Sequence, residues 1–229
     1  SLNPKKQNVS IPKVDNSPLK VEMVNDASSN SSAIPKRLTT NLPLISSDKV
    51  IGRDSDLIKL RENLLDKEQV VVVNGLGGIG KTTIAQLYVV KYQDEYQHIA
   101  WITQNSDNVS LEFDNYPSLL NNLSISIDQF KGMDLFYEVM RKMNALTKSP
   151  NLLIIDNATE SIESIRNSLP NQPNWHVLVT SREELEGFEP LRLDFLEEDD
   201  AIALFNLHFS NNLFSEVELE KLVQSLKIV

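Results

Sequence analysis

Val70-Val71-Val72-Val73-Asn74-Gly75-Leu76-Gly77-Gly78-Ile79-Gly80-Lys81-Thr82-Thr83 is the stretch that decides the fold. Its first four residues form a short, β-branched, continuously apolar run, the pattern of a strand buried on both faces of a parallel sheet. Four of the chain's seven glycines then fall between Gly75 and Gly80. A helix is predicted from Lys81 to about residue 94, with Ile84, Leu87 and Tyr88 inward. Gly75-x-x-x-x-Gly80-Lys81-Thr82 therefore matches the P-loop pattern in full, between a strand and a helix as its mechanism requires.

The chemistry needs these residue types. Glycines let successive backbone N–H groups curl around phosphate oxygens with no Cβ in the way. A helix opening at Lys81 points the positive end of its dipole at the anion. The expected phosphate cradle is Gly75, Gly77, Gly78, Ile79, Gly80, Lys81, Thr82 and Thr83. Lys81 is to reach the β and γ phosphates, the Thr82 hydroxyl is to bind Mg²⁺, and Thr83 packs or adds a phosphate contact.

Downstream, Ile99–Ile102 reads as a second strand. The stripe Leu135, Phe136, Val139, Met140, Met143, Leu146 marks a long amphipathic helix that Pro150 ends. Leu152–Ile155 is a third strand, ended by Asp156, and Ile162, Ile165 and Leu169 mark the next helix. Val177–Val179 and Leu191–Leu193 supply the fourth and fifth strands. Strands alternating with helices imply βαβ units and an α/β fold with a mainly parallel sheet. Asp156, at a strand tip beside the loop, is positioned to hold Mg²⁺ directly or through water. Thr180-Ser181-Arg182 closes the fourth strand, and Arg182 is a candidate to neutralise γ-phosphate charge.

Upstream, Leu57, Leu60 and Leu64 form a helical stripe opened by Asp54. Ahead of it, Ser, Asn and Pro fill 20 of the first 49 positions, so residues 1–49 are read as a disordered linker. After about residue 195 the pattern is helical only. Glu197–Asp200 bring four carboxylates to a helix N-terminus, with Leu204 and Phe205 as its apolar face. Ser215–Glu218 form a capping box for a second helix, with Val217, Leu219, Leu222 and Leu226 inward. The expected organisation is a linker over 1–49, a P-loop domain over 50–195 and a truncated helical lid over 196–229.

Composition narrows the function. With no cysteine, thiolate catalysis, disulfides and Cys-based zinc sites are excluded, and a cytoplasmic setting is expected. The three histidines (His98, His176, His208) form no i, i+4 ligand pair. No apolar run reaches the roughly 18 to 20 residues that span a bilayer. The net charge is −10, with the basic excess confined to residues 1–49, so the body repels nucleic-acid backbones.

Together these residues resemble the STAND class of signalling ATPases, most closely the NB-ARC (AP-ATPase) branch, to which animal apoptosome proteins, plant resistance proteins and many bacterial regulators belong. The resemblance covers about residues 50–229, as a fragment of bacterial type. Val50-Ile51-Gly52-Arg53-Asp54 is similar to the family's V-G-R-E entry motif near the adenine, which implies Val50, Ile51 and Arg53 as nucleotide contacts. Gly75–Thr83 is similar to its G-x-G-G-[IV]-G-K-T-T loop, and Leu152–Asn157 to its Walker B. Val177–Arg182 is similar to its sensor and Leu193–Phe205 to the opening of its helical domain. The resemblance implies a strand order 5-1-4-3-2, ATP or ADP as ligand with Mg²⁺, and a switch that is closed with ADP and opens, often to a homo-oligomer, with ATP.

Two departures carry weight. The position after the Walker B Asp is commonly acidic in the family but is Asn157 here; an amide orients water without taking its proton, so slow hydrolysis is expected. No G-L-P-L motif appears before Val229, so the chain is read as a piece of a longer protein with an upstream effector and a downstream sensor. Lys81, Asp156, Asn157 and Arg182 are the candidate catalytic residues, and Thr82 and Asp156 the metal ligands. The alternatives are a non-hydrolysing, ADP-bound interaction or oligomerisation module and a DNA-acting, origin-recognition-like ATPase, which the acidic body disfavours.

Overall fold

The computed structural model of the chain describes residues 34–40, 42–43, 45–66, 70–170, 173–188, 190–208 and 216–226. Five strands build the sheet: β1 (Val71–Asn74), β2 (Ile99–Thr103), β3 (Asn151–Ala158), β4 (Trp175–Ser181) and β5 (Pro190–Arg192). Every pairing is parallel, in the order β2-β3-β4-β1-β5. From the other edge this is 5-1-4-3-2, as the resemblance implied.

The apolar runs of the inner strands are explained by burial on both faces. Val72, Ala100, Ile102, Leu153, Ile155, Val177 and Val179 point to one core. Their alternating neighbours Val71, Val73, Ile99, Trp101, Leu152, Ile154 and Leu178 point to the other. The second core is closed by α1 (Asp54–Asp66) and α2 (Lys81–Tyr92), through Leu57, Leu60, Leu64, Ile84 and Tyr88. The first is closed by α3 (Val109–Glu112), α4 (Pro117–Asn122), α5 (Gly132–Asn144) and α6 (Ser161–Ile165). A parallel sheet covered in this way leaves the C-terminal strand tips of β1, β3 and β4 side by side at one crevice, where α/β folds bind ligands.

The observed elements depart from the sequence reading in several places. Helix α5 ends at Asn144 rather than running to Pro150, although Leu146 beyond it is still buried. Strand β3 does not end at Asp156: it continues to Ala158 through a register shift between Ile155 and Ala158. The short helices α3 and α4 occupy a stretch to which the sequence reading assigned no element. A further departure is upstream.

Residues 36–39 are not a free linker. Arg37 bridges Ile99 in parallel, Leu38 N donates to Ile99 O at 2.8 Å, and Ile99 N donates to Lys36 O at 2.7 Å. Thr39 Oγ1 accepts from Trp101 N at 2.9 Å, and Leu38 and Thr39 are both fully buried. The physical reason is that β2 is an edge strand, and its backbone N–H groups need partners. The remaining disorder expected over residues 1–33 lies outside the described residues.

At the other end stand α7 (Glu198–His208) and α8 (Glu216–Leu226). Of the side chains expected inward on α8, Leu219 is buried, whereas Val217 is 57% exposed and Leu222 is 36% exposed at the rim of a cavity. Ser215 of the expected capping box and the Leu226 side chain lie outside the described residues.

Candidate functional site

The loop after β1 closes against Leu193, the residue that follows β5. A Cβ on Gly75, at φ +156°, would lie 2.8 Å from the Leu193 carbonyl oxygen, so only glycine fits there. Arg53 holds the same region from the other side. Its guanidinium is buried and donates to Asp56 Oδ2 at 2.9 Å, to the Asp194 carbonyl at 2.9 Å and to the Ile79 carbonyl at 2.8 Å. Arg53 of the entry motif thus ties α1, the loop and the segment after β5 together, a buttressing role the sequence reading, which expected a nucleotide contact, did not foresee. Its neighbour Gly52, at φ +71°, leaves room for Asp200 on α7; a Cβ there would sit 2.5 Å from the Asp200 carboxylate.

Lys81 is buried at the head of α2. Its Nζ donates to the Gly75 and Leu76 carbonyls, each at 2.8 Å, which centres the charge within the loop. Burial lowers its pKa, Arg182 nearby lowers it further, and Asp156 opposes both. Thr82 donates its hydroxyl proton to Asp156 Oδ1 at 2.8 Å, which leaves the hydroxyl lone pairs facing outward. Asp156 Oδ1 also accepts from Thr180 at 2.6 Å, while among the described residues no hydrogen bond is made to Oδ2. Lys81, Thr82 and Asp156 are therefore brought together, as the sequence reading required.

Asn157 has φ +61°, a left-handed conformation that Asn tolerates better than most residues. Its N–H donates to Thr180 Oγ1 at 2.9 Å, and its side-chain amide donates to the Gln104 carbonyl at 3.0 Å. Asn157 is thus fixed by backbone geometry as well as facing the site. Gln104 was not foreseen. It is buried, and its amide bonds Ser106, Thr159 and Ser161, knitting the ends of β2 and β3. Arg182 is exposed, with its guanidinium carbon 3.9 Å from the position a Cβ would take on Gly77.

Two cavities meet over the loop. A polar one of ≈ 200 Å³ is lined by Lys81, Thr82, Asn157, Thr180 and Arg182. An apolar one of ≈ 530 Å³ is lined by Val50, Ile51, Ile79, Leu204, Phe205 and Leu222, with Arg53 and Gly77 also on its wall. Gly78, Gly80 and Thr83 line both. The larger volume falls in the range of small-molecule sites. The sequence reading placed Leu204 and Phe205 on a helix face, without assigning that face to the site.

Comparisons with known proteins agree with this geometry. The chain is 30% identical over 179 residues to a probable disease resistance protein of Arabidopsis thaliana, covering 71% of this chain and 19% of that protein. It is 28% identical over 189 residues to the transcription activator GutR of Bacillus subtilis (strain 168), covering 73% of this chain and 22% of that one. The chain thus spans about a fifth of the length of these curated relatives. Among solved structures, a STAND signal-transduction ATPase with a tetratricopeptide repeat sensor from Pyrococcus horikoshii superposes with TM-score 0.50 at 18% identity, over 80% of this chain and 28% of that one. Cdc6p from Pyrobaculum aerophilum superposes with TM-score 0.53 at 14% identity, over 84% and 56%. These likenesses speak to the fold. The model of the NB-ARC domain matches residues 53–213, most of the chain and all of the loop, strand tips and first lid helix described above. The chain belongs to the NB-ARC domain family.

Proposed function

We propose that this chain is an adenine-nucleotide-binding switch module that takes ATP or ADP with Mg²⁺ and hydrolyses ATP slowly. The observation that carries the reading is the junction of the two cavities. A nucleoside triphosphate is itself an amphiphile, with a flat base at one end and dense negative charge at the other. The apolar cavity offers the base Val50, Ile51, Ile79 and Leu204, while the polar one offers the phosphates Lys81, Arg182 and the N-terminus of α2.

The donor set also fits Mg²⁺. Among the described residues no three His, Cys, Asp or Glu side chains gather into a cage. One hydroxyl, Thr82, and one carboxylate, Asp156, suit a small hard cation that takes its other ligands from phosphate and water. When bound, Mg²⁺ would neutralise charge on the β and γ phosphates. The protein's part is to hold the phosphates on Lys81, to orient Asp156 through its two hydroxyl donors, and to set Arg182 beside the terminal phosphate. Asn157, an amide bonded to the Gln104 carbonyl, does not take a proton from water at neutral pH.

The domain limits 50–195 and 196–229 are part of the same reading, as are effector and sensor regions elsewhere on a longer chain, nucleotide-dependent self-association and a cytoplasmic setting. No helix among the described residues is long and apolar enough to cross a membrane. The test is equilibrium binding of ATP, ADP, GTP and inorganic triphosphate with and without Mg²⁺. The reading expects ATP and ADP to bind more tightly than triphosphate and GTP; equal affinity for triphosphate would remove the base site from it.

A further inference from the structure

We propose that Thr180 is a positioning residue for the cation site, fixing the Asp156 carboxylate so that it meets the cation beside Thr82. This rests on the Mg²⁺–nucleotide reading above. The observation behind it is the break in the β3–β4 ladder. The two strands pair regularly up to Ile155 and Val179, and pairing resumes only at Ala158 and Ser181. Asp156 and Asn157 lie in the irregular stretch, opposite Thr180. The Thr180 side chain, 1% exposed, fills the gap. Its oxygen accepts the Asn157 N–H at 2.9 Å and its proton goes to Asp156 Oδ1 at 2.6 Å.

That arrangement admits one proton placement. The Asn157 N–H is a donor, so the single Thr180 hydroxyl hydrogen points at the carboxylate. Asp156 Oδ1 is then held by hydroxyls from two elements, Thr82 on α2 and Thr180 on β4. The Thr82 oxygen is the one a cation would share, and the Thr180 bond remains to set the carboxylate's direction. Outer partners of this kind orient carboxylate ligands and raise cation affinity. Thr180 also lines the polar cavity with Lys81, Thr82 and Arg182. A valine of nearly the same shape would fill the strand position but leave the Asn157 N–H without its acceptor, so the hydroxyl serves both the bulge and the carboxylate, and Thr180→Ser separates its chemistry from its shape.

The experiment uses the full chain and ATP, titrated first in excess chelator and then against increasing Mg²⁺. The wild type is expected to bind ATP more tightly as Mg²⁺ rises. Thr180→Val is expected to bind ATP in chelator like the wild type but to need about 10- to 100-fold more Mg²⁺ for half of the tightening. Thr180→Ser keeps the hydroxyl and is expected to restore the wild-type requirement. An unchanged Mg²⁺ requirement in Thr180→Val overturns the proposal. So does an equal loss of chelator-phase binding, which would mark a purely structural role. A wild type with no Mg²⁺ response would remove the cation-site reading itself, an outcome separate from a responsive wild type with an unaffected variant.

Discussion

The phosphate end of the site and its helical cover are built to different standards. Around the loop, Arg53, Asn74, Lys81, Asp156, Thr180 and Ser181 are buried, and each has its hydrogen-bond partners. On α7 and α8, Leu204 and Phe205 are only half-buried, Leu207 and Val217 are exposed, and of the described side chains of the two helices only Leu219 is buried. Buried, hydrogen-bonded polar networks are rigid, whereas elements with little buried apolar area open at low cost. The difference separates chemistry from control. On the proposed reading, the strand tips would hold phosphate and cation in one geometry, while the helices over the base cavity would open at low cost.

The largest effect should come from the rigid end. Lys81→Ala removes charge-assisted bonds to phosphate and is expected to weaken ATP binding by about 100-fold, and inorganic triphosphate equally, with little change in thermal stability. Calorimetric titration and a melting curve check this; unchanged triphosphate affinity would break the assignment of the phosphate end. Next is Asn157. Asp at this position cannot donate to the Gln104 carbonyl and should swing into the polar cavity, raising steady-state phosphate release by about 10-fold, well short of a fully placed general base. A flat rate would point to the loose cover, through water left in the site, as the limit on turnover.

A smaller effect belongs to the cover. Leu204→Ala removes apolar surface from the larger cavity at a cost of about 1 kcal/mol, or roughly 5-fold in ADP affinity, while triphosphate binding is unchanged. If both ligands weaken together, the two regions are not independent. The smallest effect lies far from either. His176 Nδ1 bonds Tyr96 Oη at 2.9 Å, and Tyr96 bonds Tyr88 at 2.6 Å. Burial, and then the charge of Arg61, lower the His176 pKa below its ordinary 6.5. A neutral buried histidine adds stability above pH 6.5, and this is lost as pH falls and the unfolded chain takes up the proton first. The urea midpoint of the wild type should therefore drop more steeply below pH 6.5 than that of His176→Gln, with nucleotide affinity little altered.

How far the sequence revealed this depends on the physics of each element. The loop was readable because its backbone path admits only certain residues: glycine at 75 against the Leu193 carbonyl, lysine at 81, a hydroxyl at 82. The inner strands were readable because burial on both faces forces unbroken apolar runs. The stretch after β2 was not, because α3 and α4 span 4 and 6 residues, too few turns for a helical period to emerge. It is held by Val109, Phe113, Leu119 and Leu120 in the core and by polar specifics beside them. Burial raises the pKa of Glu112, but the hydrogen bonds it accepts at the Asn105 and Ser106 N–H groups and from Asn115 outweigh this and lower it. The anchored segment at Leu38 and Thr39 escaped notice because two buried residues leave no pattern. Asn157 was read through its side chain alone; its left-handed backbone was not visible in the residue letters.

The central claim is that one site joins a base cavity to a phosphate and cation cradle and turns over slowly. Its most direct test is a single preparation of the full chain titrated with ATP in Mg²⁺, with phosphate release followed on the same sample. The account predicts saturable binding at one site per chain, weakened about 100-fold in Lys81→Ala, with turnover far below the usual enzyme median of about 10 s⁻¹. Undiminished binding in Lys81→Ala, or turnover at ordinary enzyme rates, would contradict it.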